Sequence, residues 1–587
     1  MTDTLDVTPA TGPTGAGGWL SLHCFLRSAP EDTDAFLHRD LAPLLDGLVA
    51  RGGATGWFFI RYDEGGHHLR VRVREAAPDE AAALPGALAR LVGRLAVVAG
   101  GPVPDGEPPG RHGEVRREPY VPETGRYGGP AALPVAEEVF LLSSGVAVRA
   151  LAGAPRGSAR LALAVDLAHT TALALGMDPL TAARWLRRHA AGWRWAEEVP
   201  LLAPQHVHTR VNQVYALQRE ALAGRADSVR SGLADGTAPG PLLEWHRGVR
   251  AADEAVRACS PAVNRPLVWA SQLHMLFNRL GTAPDEERAV CLLAARTLLD
   301  EGGETSFFPA GHLSPDRRYL ERSKFHIGRE QDSAARDLPP APAGTSPRAE
   351  PLRSAGRALP PERALPADPL PETGLRTVMA ARVSRRGALT GPLDARTLGT
   401  LLWGAHASGH TSVHRHADGS ERIMRHRPYP SPGALYAAGI RLIALDVEGL
   451  APGTYHCLPD RRSLRFIGPA PARDEVAALS SYLSRPPGDP DGIAPEGLPL
   501  LLGLYVDLGL LRRRYGLRAL RLGLLEAGHL TQSLLLAATA LDLACTPLGG
   551  FRDDLAHEVF GLDDLDRPLQ YLLPMGRPPT AGMTDTG

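Results

Sequence analysis

The segment His67-His-Leu-Arg70-Val-Arg72-Val-Arg74 alternates basic with apolar residues. Side chains two apart share a face of a strand, so Arg70, Arg72 and Arg74 stand together and Leu69, Val71 and Val73 stand opposite. Three cations on one face repel one another unless anions meet them, which marks either a solvated edge strand or a site for an anionic ligand. Downstream, Glu123-Thr-Gly-Arg126-Tyr-Gly-Gly places a carboxylate and a guanidinium three residues apart beside a glycine turn. That pair is a plain salt bridge or an arginine oriented for work. His274-Met-Leu-Phe-Asn278-Arg lies in a helical stretch, where His274 and Asn278 share a face. His274 is then a structural histidine or a proton carrier suited to neutral pH.

The C-terminal half adds three more groups. Arg382-Val-Ser384-Arg-Arg386 sets guanidiniums around a hydroxyl at a helix end, which suits either a phosphate or a solvated helix terminus. Arg427-Pro-Tyr-Pro-Ser431-Pro-Gly433 precedes a strand, and its prolines and glycine fix a turn. Such a turn is merely rigid, or offers backbone N–H groups to a flat polar ligand. Arg514-Tyr515 comes ahead of Glu526-Ala-Gly-His529, and Pro547-Leu-Gly549-Gly550-Phe551 follows. Glu526 reads as the partner of a helix N-terminus or of a nearby arginine, and His529 as a hydrogen-bonded core histidine.

Elements must hold these residues in place. Residues 19–26, 56–62 and 67–74 read as strands, and 81–95, 158–191 and 251–299 as helical. A Pro-rich stretch, 339–371, reads as a linker or an extended wrapping arm. Beyond it, helical 375–386 and 393–406 precede a strand at 440–447, a hairpin over 453–468 and a buried strand at 498–508. A long helix over 526–544 and a last strand at 569–576 close the order. This is α+β in two domains, not βαβ repetition. The boundaries expected are a disordered 1–16, a first domain over 17–305, a Pro-rich arm over 306–375, a second domain over 376–578 and a flexible 579–587.

Composition removes several functions. With 64 basic and 65 acidic side chains the formal net charge is −1, which argues against nucleic acid or an anionic membrane as partner. No apolar run reaches the ~18 residues of a transmembrane helix, and the N-terminus lacks the pattern of a signal peptide. Five cysteines lie far apart without a CxxC pair, so no metal cluster or disulfide framework is expected and a cytoplasmic setting fits. The single lysine, Lys324, is not in a P-loop, and it is the one position open to a lysine Schiff base.

Taken in order, the C-terminal groups resemble the nitroreductase-like flavin fold, and more narrowly the azoline dehydrogenases of thiazole and oxazole peptide biosynthesis. The resemblance covers roughly 310–578 and includes the Ser323-Lys324 segment. It implies FMN held by Arg382, Ser384, Arg386, Ser431, Gly433, Gly549 and Gly550, and a homodimer whose subunits share each flavin. It implies catalysis at Arg514-Tyr515, where the family usually has Lys-Tyr. Tyr515 can take or orient a proton, whereas arginine stays protonated and cannot relay one as lysine does.

The N-terminal groups, over about 17–300, resemble the small C-terminal domain of lantibiotic dehydratases, the thiopeptide-type bacteriocin biosynthesis domain. That family eliminates glutamate from glutamylated Ser or Thr. The resemblance implies His274 as base or proton relay, Arg126 with Arg70 or Arg72 as carboxylate and enolate clamps, and Glu123 orienting an arginine. It also implies a ribosomal precursor peptide as substrate, with a separate tRNA-dependent glutamylating enzyme and an azoline-forming cyclodehydratase as partners. Three alternatives stay open: a pyridine-forming cycloaddition enzyme, a peptide-binding module, and a general flavin nitro- or quinone reductase.

Overall fold

The computed structural model describes residues 18–63, 66–98, 110–153, 156–196, 199–259, 263–300, 315–324, 362–390, 392–415, 419–486, 489 and 491–578. The stretches 1–16 and 579–587, and most of the Pro-rich stretch, lie outside them. The described residues form two compact units, one of 18–201 and 210–300, the other of 202–209 and 315–578. Helices and antiparallel sheets are segregated in the chain, so the class is α+β as the sequence order requires.

The first unit is built on an antiparallel sheet of β1 (Trp19–Phe25), β2 (Gly56–Tyr62), β3 (His68–Arg74) and β4 (Val115–Arg117), in the order β2-β3-β1-β4. Alternation decides its two faces. Leu69, Val71 and Val73 of β3 join Leu22 and Cys24 of β1 in the main core, under the helices. On the other face Trp19, Phe58, Tyr120, Tyr127, Phe140 and Met275 make a second, aromatic cluster. Register sets Arg72 beside Ser21 of β1 and Phe58 of β2 on that face.

Two consecutive helices complete the frame. Arg265–Leu280 opens with Asn264 accepting the Leu267 N–H at 3.4 Å and with Pro266 in its first turn, and it stops at Gly281, whose φ is +72°. Trp269, Leu273, Leu276, Phe277 and Leu280 recur at helical spacing and are all buried. Truncating Phe277 to alanine would cost roughly 3–5 kcal/mol by the cavity it leaves. Pro284–Leu298 follows after three residues, with Glu286 returning to the Ala283 N–H at 2.9 Å.

The second unit centres on a seven-stranded antiparallel sheet. Its strands are β5 (Glu362–Ala364), β8 (Ala438–Ala444), β9 (Gly453–Leu458), β10 (Ser463–Gly468), β11 (Leu500–Val506), β12 (Ala544–Cys545) and β13 (Leu569–Gly576), ordered β12-β13-β11-β8-β9-β10-β5. Strands β6 (His410–Arg415) and β7 (Glu421–His426) form a separate hairpin. Every residue of β11 is buried, with Leu500, Leu502 and Leu504 on one core and Leu501 and Tyr505 on the other. A strand covered on both faces reads as an unbroken apolar run, which LLLGLYV is.

Two expected boundaries move. The long helix runs Ala519–Ala540, starting seven residues before 526, because nothing in Arg518-Ala-Leu-Arg-Leu breaks a helix. The helix expected to reach Arg386 stops at Ala381, and Arg382 is extended at φ −65°, ψ 115°. Within the Pro-rich stretch, Glu362–Ala364 is an edge strand paired to β10, so that part is an arm of the sheet. Among the described residues no helix is long and apolar enough to cross a membrane.

Candidate functional site

In the first unit, period two does place Arg70, Arg72 and Arg74 on one face, but what meets them is not anionic alone. Arg70 lies 3.3 Å over the Tyr62 ring, Arg72 lies 4.8 Å from Tyr120 and 5.6 Å from Phe58, and Arg74 lies 5.8 Å from Trp19. Aromatic faces carry negative quadrupole density, so they hold cations that a carboxylate would otherwise hold. Arg74 also pairs with a carboxylate, Glu138, at the margin. Beside Arg70, burial and then the neighbouring His68, Arg70, Arg72 and Arg116 push His23 down to about 3, so its imidazole is neutral.

Arg126 donates from Nη1 to Glu123 at 2.9 Å, at the end of a single 3-10 turn, Thr124–Tyr127. Gly128 ends that turn at φ +87°, where an added Cβ would meet Val263 at 2.9 Å, so glycine is needed there. Burial opposes the charge of Arg126, yet Tyr127, Glu123 and Glu287 together raise its pKa.

Glu287 is the residue that sequence reasoning missed. It is buried in the helix Pro284–Leu298 and accepts from His274 Nδ1 at 2.9 Å, His189 Nε2 at 2.5 Å and Trp193 Nε1 at 3.2 Å. Burial alone would lift its carboxyl, but the facing imidazoles of His274 and His189 outweigh it and hold the group well below the usual carboxylate range. Because the carboxylate takes Nδ1–H, His274 is held with Nε2 as its proton-accepting atom. The signal was faint in the sequence: an acidic first turn after a proline reads as helix capping. Asn278 departs from His274 altogether. Its amide bridges the Arg61 backbone, accepting from N and donating to O, each at 2.9 Å, and so fixes the end of β2.

In the second unit the expected cofactor residues fall into two groupings. Arg382, Ser384 and Arg386 alternate along an extended, largely exposed segment, tied down by Arg385 N to Cys545 O at 3.3 Å. Arg386 pairs with Asp491 and lies 5.3 Å over Tyr482. A Cβ on Gly550 would sit 3.7 Å from that same Tyr482 and one on Gly549 4.0 Å from Tyr571, so the turn Gly549-Gly550 stands beside the arginines with its backbone exposed.

The other grouping surrounds the loop 431–436. Ser431 Oγ donates to Glu526 Oε2 at 2.8 Å and accepts from Tyr436 N at 2.7 Å, so its hydroxyl is spent on the loop itself. Glu526 also accepts from Ala438 N at 2.8 Å. It is fully buried inside the long helix, not at a helix N-terminus, and burial raises its carboxyl pKa. The loop it ties down is left-handed at Gly433, Ala434 and Tyr436, a strain that persists only when surroundings impose it. A Cβ on Gly433 would lie 2.6 Å from Tyr515 Oη and 2.7 Å from Arg514 Nη1, so the glycine is what lets that pair approach. No hydrogen bond or ion pair among the described residues joins the two groupings.

One expectation changes here. His529 is exposed, not a core histidine. The Ser323-Lys324 segment is pinned by Tyr319, whose hydroxyl accepts from Arg521 N at 3.0 Å and donates to Leu517 O at 3.3 Å, and by Arg518 Nε donating to Ser323 O at 3.0 Å. The segment thereby abuts the turn that follows Arg514-Tyr515.

The residues present suit a flavin mononucleotide. An exposed Arg-x-Ser-x-Arg edge is a phosphate donor set, and a glycine-lined backbone edge suits a flat polar ring. Among the described residues no cluster of His, Cys, Asp or Glu could hold a metal.

Comparison with known proteins agrees with this division. Residues 19–298 match the family described as lantibiotic biosynthesis dehydratase, C-terminal, and residues 470–577 match the nitroreductase family. A protein of Methanocaldococcus jannaschii named as a nitroreductase is 29% identical over 208 residues, 35% of this chain and 92% of its own length. The microcin B17-processing protein McbC of Escherichia coli is 29% identical over 141 residues, 23% of this chain, and the match spans about half (49%) of its length. Among solved structures, the pyridine synthase TbtD from thiomuracin biosynthesis is 21% identical, covering 48% of this chain and 97% of that one, with a TM-score of 0.40. A Desulfovibrio desulfuricans protein described as a nitroreductase and solved in complex with FMN is 16% identical, covering 37% of this chain and 93% of that one, with a TM-score of 0.23. The chain thus carries a lantibiotic-dehydratase-like region followed by a nitroreductase-like domain.

Proposed function

We propose that this chain performs two maturation steps on a ribosomal precursor peptide. The first unit eliminates glutamate from glutamylated serine to leave dehydroalanine. The second oxidises azolines to azoles with FMN. The observation that carries the first step is the buried Glu287 aligning His274 within electrostatic reach of Arg126.

In the elimination, His274 Nε2 takes the serine Cα proton, the electron pair forms Cα=Cβ, and the Cβ–O bond breaks to release glutamate. Glu287 stays ionised, keeps His274 in the working tautomer and steadies the imidazolium that forms. Arg126, with Glu123 setting its direction and Arg70 or Arg72 beyond it, stabilises charge that develops on the peptide carbonyl and on the leaving carboxylate.

For the second step, FMN when bound supplies the two-electron acceptor that aromatisation of the ring requires. Arg382, Ser384 and Arg386 would hold its phosphate, Gly549 and Gly550 would present backbone to it, and the 431–436 loop with Gly433 would line its ring. Tyr515 takes or orients the ring proton at its hydroxyl, while Arg514 remains charged and fixes that hydroxyl from beside Gly433. Subunits pairing through this unit, a separate glutamylating enzyme and a separate cyclodehydratase belong to the same proposal. The fusion of the two units resembles the bifunctional protein of lactazole biosynthesis.

The rival reading makes the first unit a pyridine-forming cycloaddition enzyme. A cycloaddition needs no base held by a buried carboxylate, so the His274–Glu287 pair favours elimination. The test is a precursor peptide carrying azolines and glutamylated serines, incubated with the flavin-loaded protein and read by mass. Loss of glutamate together with two hydrogens per ring is expected. Oxidised rings with glutamate retained would refute the first step.

A further inference from the structure

Glu287 spends its two oxygens on different partners. Oε2 accepts from His274 Nδ1 at 2.9 Å, whereas Oε1 accepts from His189 Nε2 at 2.5 Å and from Trp193 Nε1 at 3.2 Å. His189 stands on the helix Pro179–Gly192, and the chemistry above gives it no part. The Glu287 side chain is 1% exposed, that of His189 9% and that of His274 19%, so His274 is the ring most open to a ligand.

A lone buried carboxylate beside a lone imidazole makes a poor base. An uncompensated buried charge is costly, so the carboxylate draws a proton onto the ring that faces it, and the pair settles as imidazolium and carboxylate. An imidazolium has no lone pair left to take a Cα proton. Two rings on one carboxylate change the count. The first added proton makes the cluster electrically neutral, and a second makes it a net cation in a buried place. One ring therefore holds a proton while the other keeps its lone pair.

Geometry decides which ring is which. The 2.5 Å contact at His189 has the shortness of a charge-assisted bond, and 2.9 Å at His274 is an ordinary N–H···O distance. Trp193, donating to the same oxygen as His189, draws the negative charge toward Oε1. The other ionisable groups around Glu287 do not take up the proton. Arg126 is already a cation, and burial, then Glu287, holds the Cys291 thiol well above its usual range. Arg288 pairs with Asp285, and His169 of the helix Ser158–Ala174 turns to Ala294 O at 3.2 Å.

We infer that His189 is a positioning residue of the elimination: it holds the proton that Glu287 attracts and so leaves Nε2 of His274 free to act as the base. The inference rests on the elimination reading. When His274 takes the Cα proton, the cluster turns from neutral to cationic beside a substrate that has become anionic, so the added charge is met where it forms. Glutamate leaves as a carboxylate and needs no proton, and His274 returns its own to water.

The first experiment is 15N-histidine NMR of the full wild-type chain near neutral pH, with the two rings assigned through His274→Gln and His189→Gln. Ring 189 should carry N–H on both nitrogens and ring 274 on Nδ1 alone. The reverse, or one N–H on each ring, would overturn the inference. The second experiment is glutamate release from a glutamylated peptide against pH. Glutamine at 189 still donates to Oε1 but holds no proton, so the proton passes to His274. In His189→Gln the acid limb of the profile should move up by about one pH unit, so release falls about tenfold on that limb and recovers toward alkaline pH. Release lowered equally at every pH would make His189 a packing residue and overturn the inference, as would an unmoved limb. If wild type releases no glutamate at any pH, the elimination reading fails, and the ring protonation still decides whether His189 holds the proton.

Discussion

Replacing Glu287 by glutamine changes one oxygen for an amide and keeps the shape. The wild-type carboxylate accepts from two imidazoles, at 2.5 and 2.9 Å, and from the Trp193 indole at 3.2 Å. A hydrogen bond to a charged group is worth about 1.5–3 kcal/mol and a neutral one about 1 kcal/mol, so converting the two imidazole bonds removes about 1–4 kcal/mol. At roughly 2–4 °C per kcal/mol for a unit of this size, the first unit should melt about 2–16 °C lower. The chemical consequence is larger. Without the anion His274 is free to turn or to change tautomer, and loss of an orienting carboxylate from such a pair costs about 10²–10⁴ in rate. The assay is glutamate release from a glutamylated peptide, beside azole formation by the same preparation. Release should fall by at least two orders of magnitude while ring oxidation is unchanged. Should Glu287→Gln release glutamate within about twofold of wild type, despite a lowered melting point, then Glu287 is a packing residue and His274 is not the base.

Other outcomes follow from the same contacts. Arg126→Ala should abolish dehydroalanine formation and leave azoles forming, with little change in melting because its ion pair is largely exposed; loss of both activities in a folded protein would count against independent sites. Glu526→Ala should lose flavin on gel filtration, since Ser431 and Ala438 lose their anchor, whereas Glu526→Gln should retain it; equal retention would show that the anchor is dispensable. Gly433→Ala should lower flavin affinity and azole formation together, as φ is +59° and the methyl would overlap Tyr515 and Arg514. In acid, Glu287 contributes stability above its unfolded value of about 4.5 that drains as pH falls through its lower folded value; urea midpoints against pH should show this loss in wild type and not in Glu287→Gln.

The parts of this architecture that local pattern dictates were legible. Strand β13 falls at 569–576 as read, and β2 at 56–62, because alternation or a continuous apolar run bounded by turns leaves little choice. The common face of Arg70, Arg72 and Arg74 was equally plain, since period two is a property of the backbone. What meets that face was not, because Trp19, Tyr62 and Tyr120 arrive from other segments. Glu287 was hidden for the same reason: His189 lies 98 residues away in sequence, and only the packing of two helices turns a capping-like glutamate inward. Glu526 was misplaced because a helix lacking a breaker gives no sign of where it starts, and seven residues of error turned an interior strut into a cap. The positive-φ loop at 433–436 shows its glycine in the sequence, but the left-handed Ala434 and Tyr436 become visible only once Glu526 is seen to impose them.

The central claim is that His274, aligned by Glu287, removes glutamate from a peptide ester. The most direct measurement follows free glutamate and peptide mass when wild type and His274→Ala are each given a peptide with one glutamylated serine. Wild type should release one glutamate for each dehydroalanine formed, and His274→Ala should leave the ester intact while still oxidising azolines. No release by the wild-type protein, or equal release by His274→Ala, would contradict the account.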